Sequence, residues 1–315
     1  MTYFKGTITA AAMATGLAGA ALAQDDYPTD TVTIQVPFSA GGSTDVFGRM
    51  LADWLGEELG GTFIVENTTG ASGVIGTQRV AQSEPDGTSI LLATPSPLVM
   101  QPLIQDELPY ELWEDFRPVS LIWVQPVTLI TRRDRFDSVE DFIAEAQANP
   151  GQISYGSAGI NSLNHVSGVF FSSLADVELL HIPYQGINPA IADTLAGNVD
   201  AAFVTAASLL SMPDELHGLV AASDTPLPEA PDVPLAADVG LPDYIFSSYG
   251  AFIVPAATPD SVVDALNTAL DTIFADPENL AEMESRGVTI NLLQGDDLRG
   301  FAERQSEIAG AAIER

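Results

Sequence analysis

The sequence predicts an α/β fold with two lobes that face each other across a cleft. Apolar segments with strand character alternate with amphipathic helical segments through most of the chain, which favours α/β units around a largely parallel sheet. Two similar loops of small residues, at 38–46 and 155–166, each follow an apolar strand and precede a helix. The loops lie about 120 residues apart, and each is followed by a long stretch of chain, so two lobes that present similar edges to one another are the natural arrangement.

The individual elements follow in order from this alternation. Strands are predicted at 31–38, 62–67, 88–94 and, as a long apolar crossing segment, 121–133. A second set of α/β units opens at 152–156 and continues through 178–184, 189–198, 199–205 and 218–223. Helices are predicted at 45–59, in the second part of segment 68–82, whose Gly-rich start turns into a helix that ends before Pro85, at 138–151 with Ser138 as N-cap, and at 258–277 and 296–314 near the end of the chain.

The first 23 residues have the pattern of a secretory signal peptide. Lys5 precedes an apolar run, rich in Ala and Gly, that finishes in the cleavage pattern Ala21-Leu22-Ala23. A retained membrane anchor is the less favoured alternative, because a spanning helix needs about 20 strongly apolar residues. We therefore expect residues 1–23 to be removed after Ala23 and the mature chain, 24–315, to be periplasmic.

The composition excludes several classes of function. The chain has 43 acidic and 11 basic residues and a formal net charge of −32, which opposes binding to nucleic acid and to anionic membranes. The acids are scattered without the spacing of a calcium loop, so solubility in a saline habitat is favoured over cation binding. The sequence has no cysteine, three histidines and no H-E-x-x-H motif, so neither a metal site nor a cofactor is expected.

The loop that begins at Phe38 has the composition of an anion site. Amide groups at a helix N-terminus lack intrahelical partners and lie at the positive end of the helix dipole. Gly41 and Gly42 allow close approach of a ligand, and Ser39, Ser43 and Thr44 add hydroxyl donors. Small residues also suit ordinary tight turns, but the presence of a second, similar loop favours binding.

A carboxylate is the anion that fits best. The chain has no lysine after residue 5 to complete a P-loop, and neither Gly-rich segment has the G-x-G-x-x-G spacing of a dinucleotide site. Each hydrogen bond to a charged group contributes about 1.5–3 kcal/mol. Salt limits the reach of the surface acids to about 10 Å at 0.1 M and about 3 Å at 1 M, so short hydrogen bonds in a cleft should outweigh the negative charge.

Eight segments, in order and over nearly all of the mature chain, resemble the TctC-like solute-binding receptors of tripartite tricarboxylate transporters, also called the Bug family. The segments are VPFSAGGSTDV, VENTTGASGVIGT, EPDGTSILLAT, LPYELWEDFRPVSLI, YGSAGINSLNHVSGVFF, HIPYQGINPAIADTLAGNVDAAF, APDVPLAADVGLPDY and GAFIVPAATPDSVV. The resemblance implies a two-lobed type II periplasmic-binding-protein fold that closes on a small carboxylate and delivers it to a membrane permease. It also implies that two loops hold the carboxylate without a charged side chain, partly through ordered waters.

The resemblance maps the ligand-binding residues onto both loops. The candidates are Phe38, Ser39, Ala40, Gly41, Gly42, Ser43 and Thr44 in the first loop, Ser157, Ala158, Gly159, Asn161 and Ser162 in the second, and His165 and Thr205. His165 is expected either to orient the ligand or only to satisfy local hydrogen bonds. Val204-Thr205 replaces the Asp-Asn pair that relatives often have, which leaves the distal contacts and the identity of the ligand open. We expect a monomer with lobe 1 at 24–124 plus 250–315 and lobe 2 at 125–249.

An exported α/β hydrolase is the main alternative from another class. It would require a G-x-S-x-G elbow, which is absent, so no catalytic residue is assigned and the chain is predicted not to be an enzyme. A binding protein for an ABC importer or a sensor would share the fold. A TRAP-type receptor would be expected to place an arginine on the carboxylate, and neither loop contains one.

Overall fold

The structure, a computed structural model, describes residues 27–313, with side chains to residue 310. The predicted signal peptide and its cleavage after Ala23 therefore lie outside the described residues. Between residues 27 and 313, no helix combines the length and the apolar character that a membrane span requires.

A continuous sheet forms the frame of the described chain. Its strands are β1 (Val32–Val36), β2 (Phe63–Asn67), β3 (Ser89–Ala93), β4 (Phe116–Arg132), β5 (Ser154–Ser157), β6 (Leu180–Pro183), β7 (Ala201–Thr205), β8 (Leu216–Ala221), β9 (Ser247–Pro255) and β10 (Thr289–Gln294). The spatial order is β2-β1-β3-β9-β4-β7-β5-β6, and β8 and β10 also pair with β4.

Helices follow most of the strands, in agreement with the predicted α/β alternation. They are α1 (Ser43–Leu59), α2 (Val74–Ala81), α3 (Gln101–Ile104), α4 (Leu112–Asp115), α5 (Val139–Ala148), α6 (Leu163–Ala175), α7 (Ile187–Ala196), α8 (Ala206–Leu210), α9 (Asp260–Ala275), α10 (Pro277–Glu284) and α11 (Asp296–Ile313). A π-helical turn at Ser96–Met100 precedes α3. The predicted cap of α5 is confirmed, because Ser138 Oγ accepts a hydrogen bond from Asp141 N at 3.1 Å.

The sheet has two halves that share strand β4. In the first half-sheet β1 pairs in parallel with β2 and β3, and in the second β5 pairs in parallel with β6 and β7. The residues of β4 from Phe116 to Pro126 pair with β9, whereas those from Val127 to Arg132 pair with β7 and β8. All of these pairs are antiparallel, as are β3–β9 and β4–β10. The described sheet is therefore mixed, and the prediction of a largely parallel sheet is wrong, because the long strand β4 joins the two parallel sets through antiparallel neighbours. The chain thus passes from one half-sheet to the other along β4, and the predicted lobe boundaries after 124 and 249 remain a prediction.

Separate aromatic groups are buried beside each half-sheet. Against the first, Phe47 of α1 lies edge-to-face on Trp123, with ring centroids 4.9 Å apart. Beside the second, Phe171 of α6 packs on Phe142 and Phe203 at 6.0 and 5.6 Å. These contacts fix α1 and α6 on the sheet, so that the loops before them lie at the carboxyl ends of β1 and β5. Ligands of open α/β sheets collect at such ends.

Candidate functional site

The loop between β1 and α1 is anchored by a buried carboxylate. Asp45 is 3% exposed, and its Oδ2 accepts a hydrogen bond from Gly41 N at 2.8 Å. Arg49, one turn further on, donates to both carboxylate oxygens at 2.8 and 3.1 Å. Burial alone raises the pKa of Asp45, but the hydrogen bonds from Arg49 and Gly41 outweigh it and hold the pKa below its usual value. The ionised carboxylate therefore fixes Gly41, whose φ is +79°.

The start of α1 leaves its first amides available to a ligand. Gly42 is the N-cap and supplies no side-chain cap, so the N–H groups of Ser43 and Thr44 have no partner within the helix. Asn67 at the end of β2 donates to the carbonyl of Phe38 at 3.0 Å, which holds the other end of the loop. The loop thus has a fixed backbone with donors at the cleft.

The loop between β5 and α6 is held from inside by Ser157. This fully buried side chain donates to Gly159 O at 3.0 Å and accepts from Gly159 N at 3.1 Å. His181 Nε2 lies 2.7 Å from the same Oγ. Because Ser157 Oγ already donates to a carbonyl, the imidazole is the donor in this third bond. Ser157 therefore shapes the loop instead of contacting the cleft.

Two neighbouring histidines support the same loop. His165 Nδ1 accepts a hydrogen bond from Asn161 N at 3.1 Å, and the His165 and His181 ring centroids are 4.1 Å apart. Burial lowers the pKa of both imidazoles, and the neighbouring His165 contributes to lowering the pKa of His181 to about 4. Both rings are therefore neutral at pH 7. Of the two roles predicted for His165, the described contacts are those of local hydrogen bonding.

A small cavity, the cradle cavity, lies between the two loops. Its volume is about 60 Å³, which gives room for a few water molecules or one carboxylate group. Its lining contains neutral groups throughout, namely Phe38, Ser39, Gly42, Ser43, Thr44, Thr94, Pro95, Ser96, Ala158, Leu163, Asn164, Ile187, Thr205, Ser208 and Ser248. An anion here would be held by hydroxyl, amide and helix N-terminal donors, without a salt bridge.

The predicted site residues divide between this cavity and its supports. Those at the cavity wall are Phe38, Ser39, Gly42, Ser43, Thr44, Ala158 and Thr205. Gly41 lines a neighbouring cavity, Ala40 uses its carbonyl to accept from Asn188, and Gly159 lines a third pocket. The remaining predicted residues, Ser157, Asn161, Ser162 and His165, are not among the described residues that line the cradle cavity. Their bonds run to one another, to Gly159 and His181, and, through the Asn161 carbonyl, to Gln101.

Several wall residues were missed from the sequence. Thr94 and Ser96 follow β3, at the same sheet edge as the first loop. Ligands collect at the carboxyl ends of strands in α/β sheets, and this applies to Thr94 and Ser96 as it does to the two loops. Ser96 Oγ accepts from Leu163 N, the first amide of α6, at 2.9 Å. Thr94 is 5% exposed, and its Oγ1 has no hydrogen-bond partner among the described residues. A buried hydroxyl without a partner is unusual enough to indicate a place for a ligand or water oxygen.

Direct hydrogen bonds join the two half-sheets around the cradle cavity. Ser43 Oγ and Thr205 Oγ1 are 3.2 Å apart, and Asn188 Nδ2 donates to the carbonyl of Ala40 at 3.2 Å. On the outer side Ser72 Oγ donates to the carbonyl of Ile160 at 2.6 Å. The cavity is thus closed by contacts between separate parts of the fold, a geometry suited to a site that opens and closes around its ligand.

Fold and site together define a two-lobed binding protein, and solved structures agree. A protein described as a periplasmic transporter is 29% identical, with a TM-score of 0.88 over 92% of this chain and 98% of the other. The periplasmic binding protein BugD is 30% identical, with a TM-score of 0.86 over 91% and 98%. An R. palustris protein solved with adipate is 27% identical, with a TM-score of 0.87 over 91% and 98%. The predicted type II periplasmic-binding-protein fold is confirmed.

The family follows from the sequence comparison. Residues 47–315 match the family described as the tripartite tricarboxylate transporter family receptor. Protein BugT of Bordetella pertussis is 31% identical over 299 residues, which cover 92% of this chain and 90% of BugT. The chain therefore belongs to the tripartite tricarboxylate transporter receptor family, as the sequence resemblance predicted. Its relatives are solute-binding proteins, not enzymes, which rules against the exported hydrolase.

Proposed function

We propose that this chain is a periplasmic receptor that captures a small carboxylate in the cradle cavity and delivers it to a tripartite tricarboxylate-type permease. The observation that carries the proposal is the wall of neutral donors between two fixed loops, one on each half-sheet. Delivery to a permease rests on membership of the receptor family. Export with cleavage after Ala23 and a monomeric state belong to the same proposal.

The donors of the cavity suit a carboxylate better than a larger anion. The amides of Ser43 and Thr44 lie at the positive end of α1, where a helix of this length favours negative charge. The unpartnered hydroxyl of Thr94 adds a donor that the fold itself does not use. A carboxylate fits a cavity of about 60 Å³, and a related R. palustris protein, 27% identical, was solved with adipate.

Closure around the ligand is the mechanism that the geometry supports. Each loop belongs to a different half-sheet, so a carboxylate that bonds to both adds binding energy only when the halves are together. That differential affinity shifts the population towards the closed arrangement. The Asn188–Ala40 bond would then form beside the ligand and hold the two half-sheets together around it.

The test combines a ligand screen with a matched pair of variants. A thermal-shift screen at high salt compares a panel of mono-, di- and tricarboxylates with their neutral amides, with sugars and with phosphate. A ligand at a hundredfold excess over its Kd stabilises the folded state by about 2.7 kcal/mol. The proposal predicts saturable stabilisation by carboxylates alone. A flat response to every carboxylate, or an equal response to the amides, contradicts it.

The variants Thr94→Val and Thr128→Val then locate the site. Both threonines are buried and both hydroxyls lack a partner among the described residues, but only Thr94 lines the cradle cavity. The two changes should therefore affect unfolding alike. Only Thr94→Val should weaken carboxylate binding, by about tenfold or more, since a lost hydrogen bond to a charged group costs about 1.5–3 kcal/mol. Equal affinities in the two variants would place the ligand elsewhere.

A further inference from the structure

A larger cavity adjoins the cradle cavity. This side cavity, of about 560 Å³, lies between α1 on one side and α7 and α8 on the other, with Ser285 and Arg286 after α10 at its rim. Small-molecule sites commonly have volumes of about 300–1,000 Å³. The side cavity falls in that range, whereas the cradle cavity holds little more than one polar group.

A short row of hydroxyls lies where the two cavities meet. Ser43 and Ser208 line both of them. Thr205 Oγ1 lies 3.2 Å from each of these two hydroxyl oxygens. Hydroxyl hydrogen bonds most often measure about 2.7–2.8 Å, so the row is loosely bonded. A ligand oxygen could replace either contact, and a ligand that displaced the row would extend from one cavity into the other.

The side cavity has the lining of a site for an apolar body. Its wall is formed largely by aliphatic and aromatic side chains, including Val46, Phe47, Ile191, Leu195, Leu210 and Met212. An extended methylene chain would replace water against these groups, and burial of each methylene is favourable. The carboxylate itself would gain nothing there, which suits a ligand whose charged group stays in the cradle cavity.

Arg286 supplies one positive charge to this wall. Among the described residues that line the side cavity it is the single charged one, in a sequence with 43 acidic residues. Its side chain is 43% exposed, and its ion pair with Glu282 on the preceding helix is long, at 3.3 Å. An exposed ion pair of this kind holds its arginine weakly. Arg286 is therefore available to an anionic group that enters the side cavity.

We propose that the side cavity receives the methylene chain of an elongated dicarboxylate, whose first carboxylate lies in the cradle cavity and whose second meets Arg286. The inference rests on the proposed function, because it needs the cradle cavity to hold a carboxylate. It adds the class of ligand: a straight-chain dicarboxylate with several methylenes is preferred to a compact or highly oxygenated acid.

The first test uses straight-chain dicarboxylates from succinate to suberate, titrated calorimetrically into the mature protein. Each added methylene should tighten binding about fourfold, so suberate should bind about 250-fold more tightly than succinate. Ala192 and Ala196 give a matched pair, since both are exposed on α7 and only Ala192 lines the side cavity. Ala192→Phe should reduce the suberate-to-succinate ratio below about tenfold, while Ala196→Phe should keep it.

The second test addresses the far carboxylate. Wild-type protein should prefer suberate to the equally long monocarboxylate octanoate by about tenfold or more, as expected for a charge-assisted hydrogen bond. Arg286→Gln should remove that preference. The control Arg304→Gln removes an arginine from α11, away from both cavities, and should leave it intact.

The outcomes separate the two proposals. If wild-type protein binds no carboxylate at all, the proposed function fails and the ligand class with it. If it binds carboxylates but shows a flat chain-length series, or if Ala192→Phe behaves as Ala196→Phe does, the ligand class alone is wrong. The role of Arg286, and with it the dicarboxylate class, is also wrong if Arg286→Gln keeps the full preference for suberate over octanoate.

Discussion

Replacement of Asp45 by alanine tests whether one buried carboxylate builds the first loop of the cleft. Asp45 accepts from Gly41 N at 2.8 Å and from Arg49 at 2.8 and 3.1 Å. Its removal leaves the Gly41 amide without that acceptor and releases the turn that carries the α1 donors. We therefore expect both lower stability and weaker ligand binding.

The magnitude follows from the separate contacts. A hydrogen bond to a charged group contributes about 1.5–3 kcal/mol, and this value applies to the bond from Gly41 because the acceptor is 3% exposed. Arg49 is 53% exposed, so screening by solvent reduces its ion pair to at most about 1 kcal/mol. Asp45→Ala should thus lower the free energy of unfolding by about 2–3 kcal/mol and weaken carboxylate binding by about tenfold.

The assay is urea unfolding, with Asp53→Ala as the matched control. Asp53 lies on the same helix but is exposed, so its loss should change stability by less than about 0.5 kcal/mol. The pKa of Asp45 is lowered in the fold. Its contribution is therefore complete above the unfolded value near 3.9 and is lost as the pH falls through the folded pKa. Equal losses in the two variants, or a difference from wild type that persists unchanged at pH 2, would refute this reasoning.

Three further predictions concern the loops and one helix start. Gly41→Ala and Gly60→Ala each force a side chain into the left-handed region, at φ +79° and +69°, and each should cost about 1–2 kcal/mol of stability. Only Gly41→Ala should also weaken carboxylate binding, by titration calorimetry. Burial, with a contribution from His165, lowers the pKa of His181 to about 4, so wild-type stability should fall as the pH drops from about 6.5 towards 4. Urea unfolding of His181→Gln should show a shallower decline, and an identical pH profile would contradict this account. Ser138→Ala removes the cap of α5 and should cost about 1 kcal/mol; no change in the urea midpoint would mean that the cap contributes nothing.

Local chemistry made the order of elements and the two loops predictable. Strand and helix periods are visible in the sequence itself. Ser138 caps its helix through a hydrogen bond to a residue only three positions further along the chain. The segment between α9 and α11 was not predicted, although it contains α10 and β10. β10 has no fully buried residue along its length, so its apolar pattern is weak, and its place is set by pairing with the distant β4.

The site was predicted less completely because long-range contacts decide which side of a loop faces the cavity. Ser157 and Ser39 are equally good donors in the sequence, yet Ser157 is buried against His181, 24 residues away, and Ser39 lines the cradle cavity. The bond between Ser43 and Thr205 joins residues that are 162 positions apart. Thr94, in contrast, could have been predicted, because it follows β3 and ligands collect at the carboxyl ends of such strands. The side cavity could not be predicted, since it exists only where α1, α7 and α8 meet.

A crystal structure with the tightest-binding carboxylate of the panel is the most direct test of the central claim. The account predicts one carboxylate in the cradle cavity, with its oxygens within hydrogen-bond distance of the Ser43 or Thr44 amides and of the Thr94 hydroxyl, and with no arginine at that carboxylate. A carboxylate held there by an arginine, or a ligand bound outside both cavities, would contradict the account.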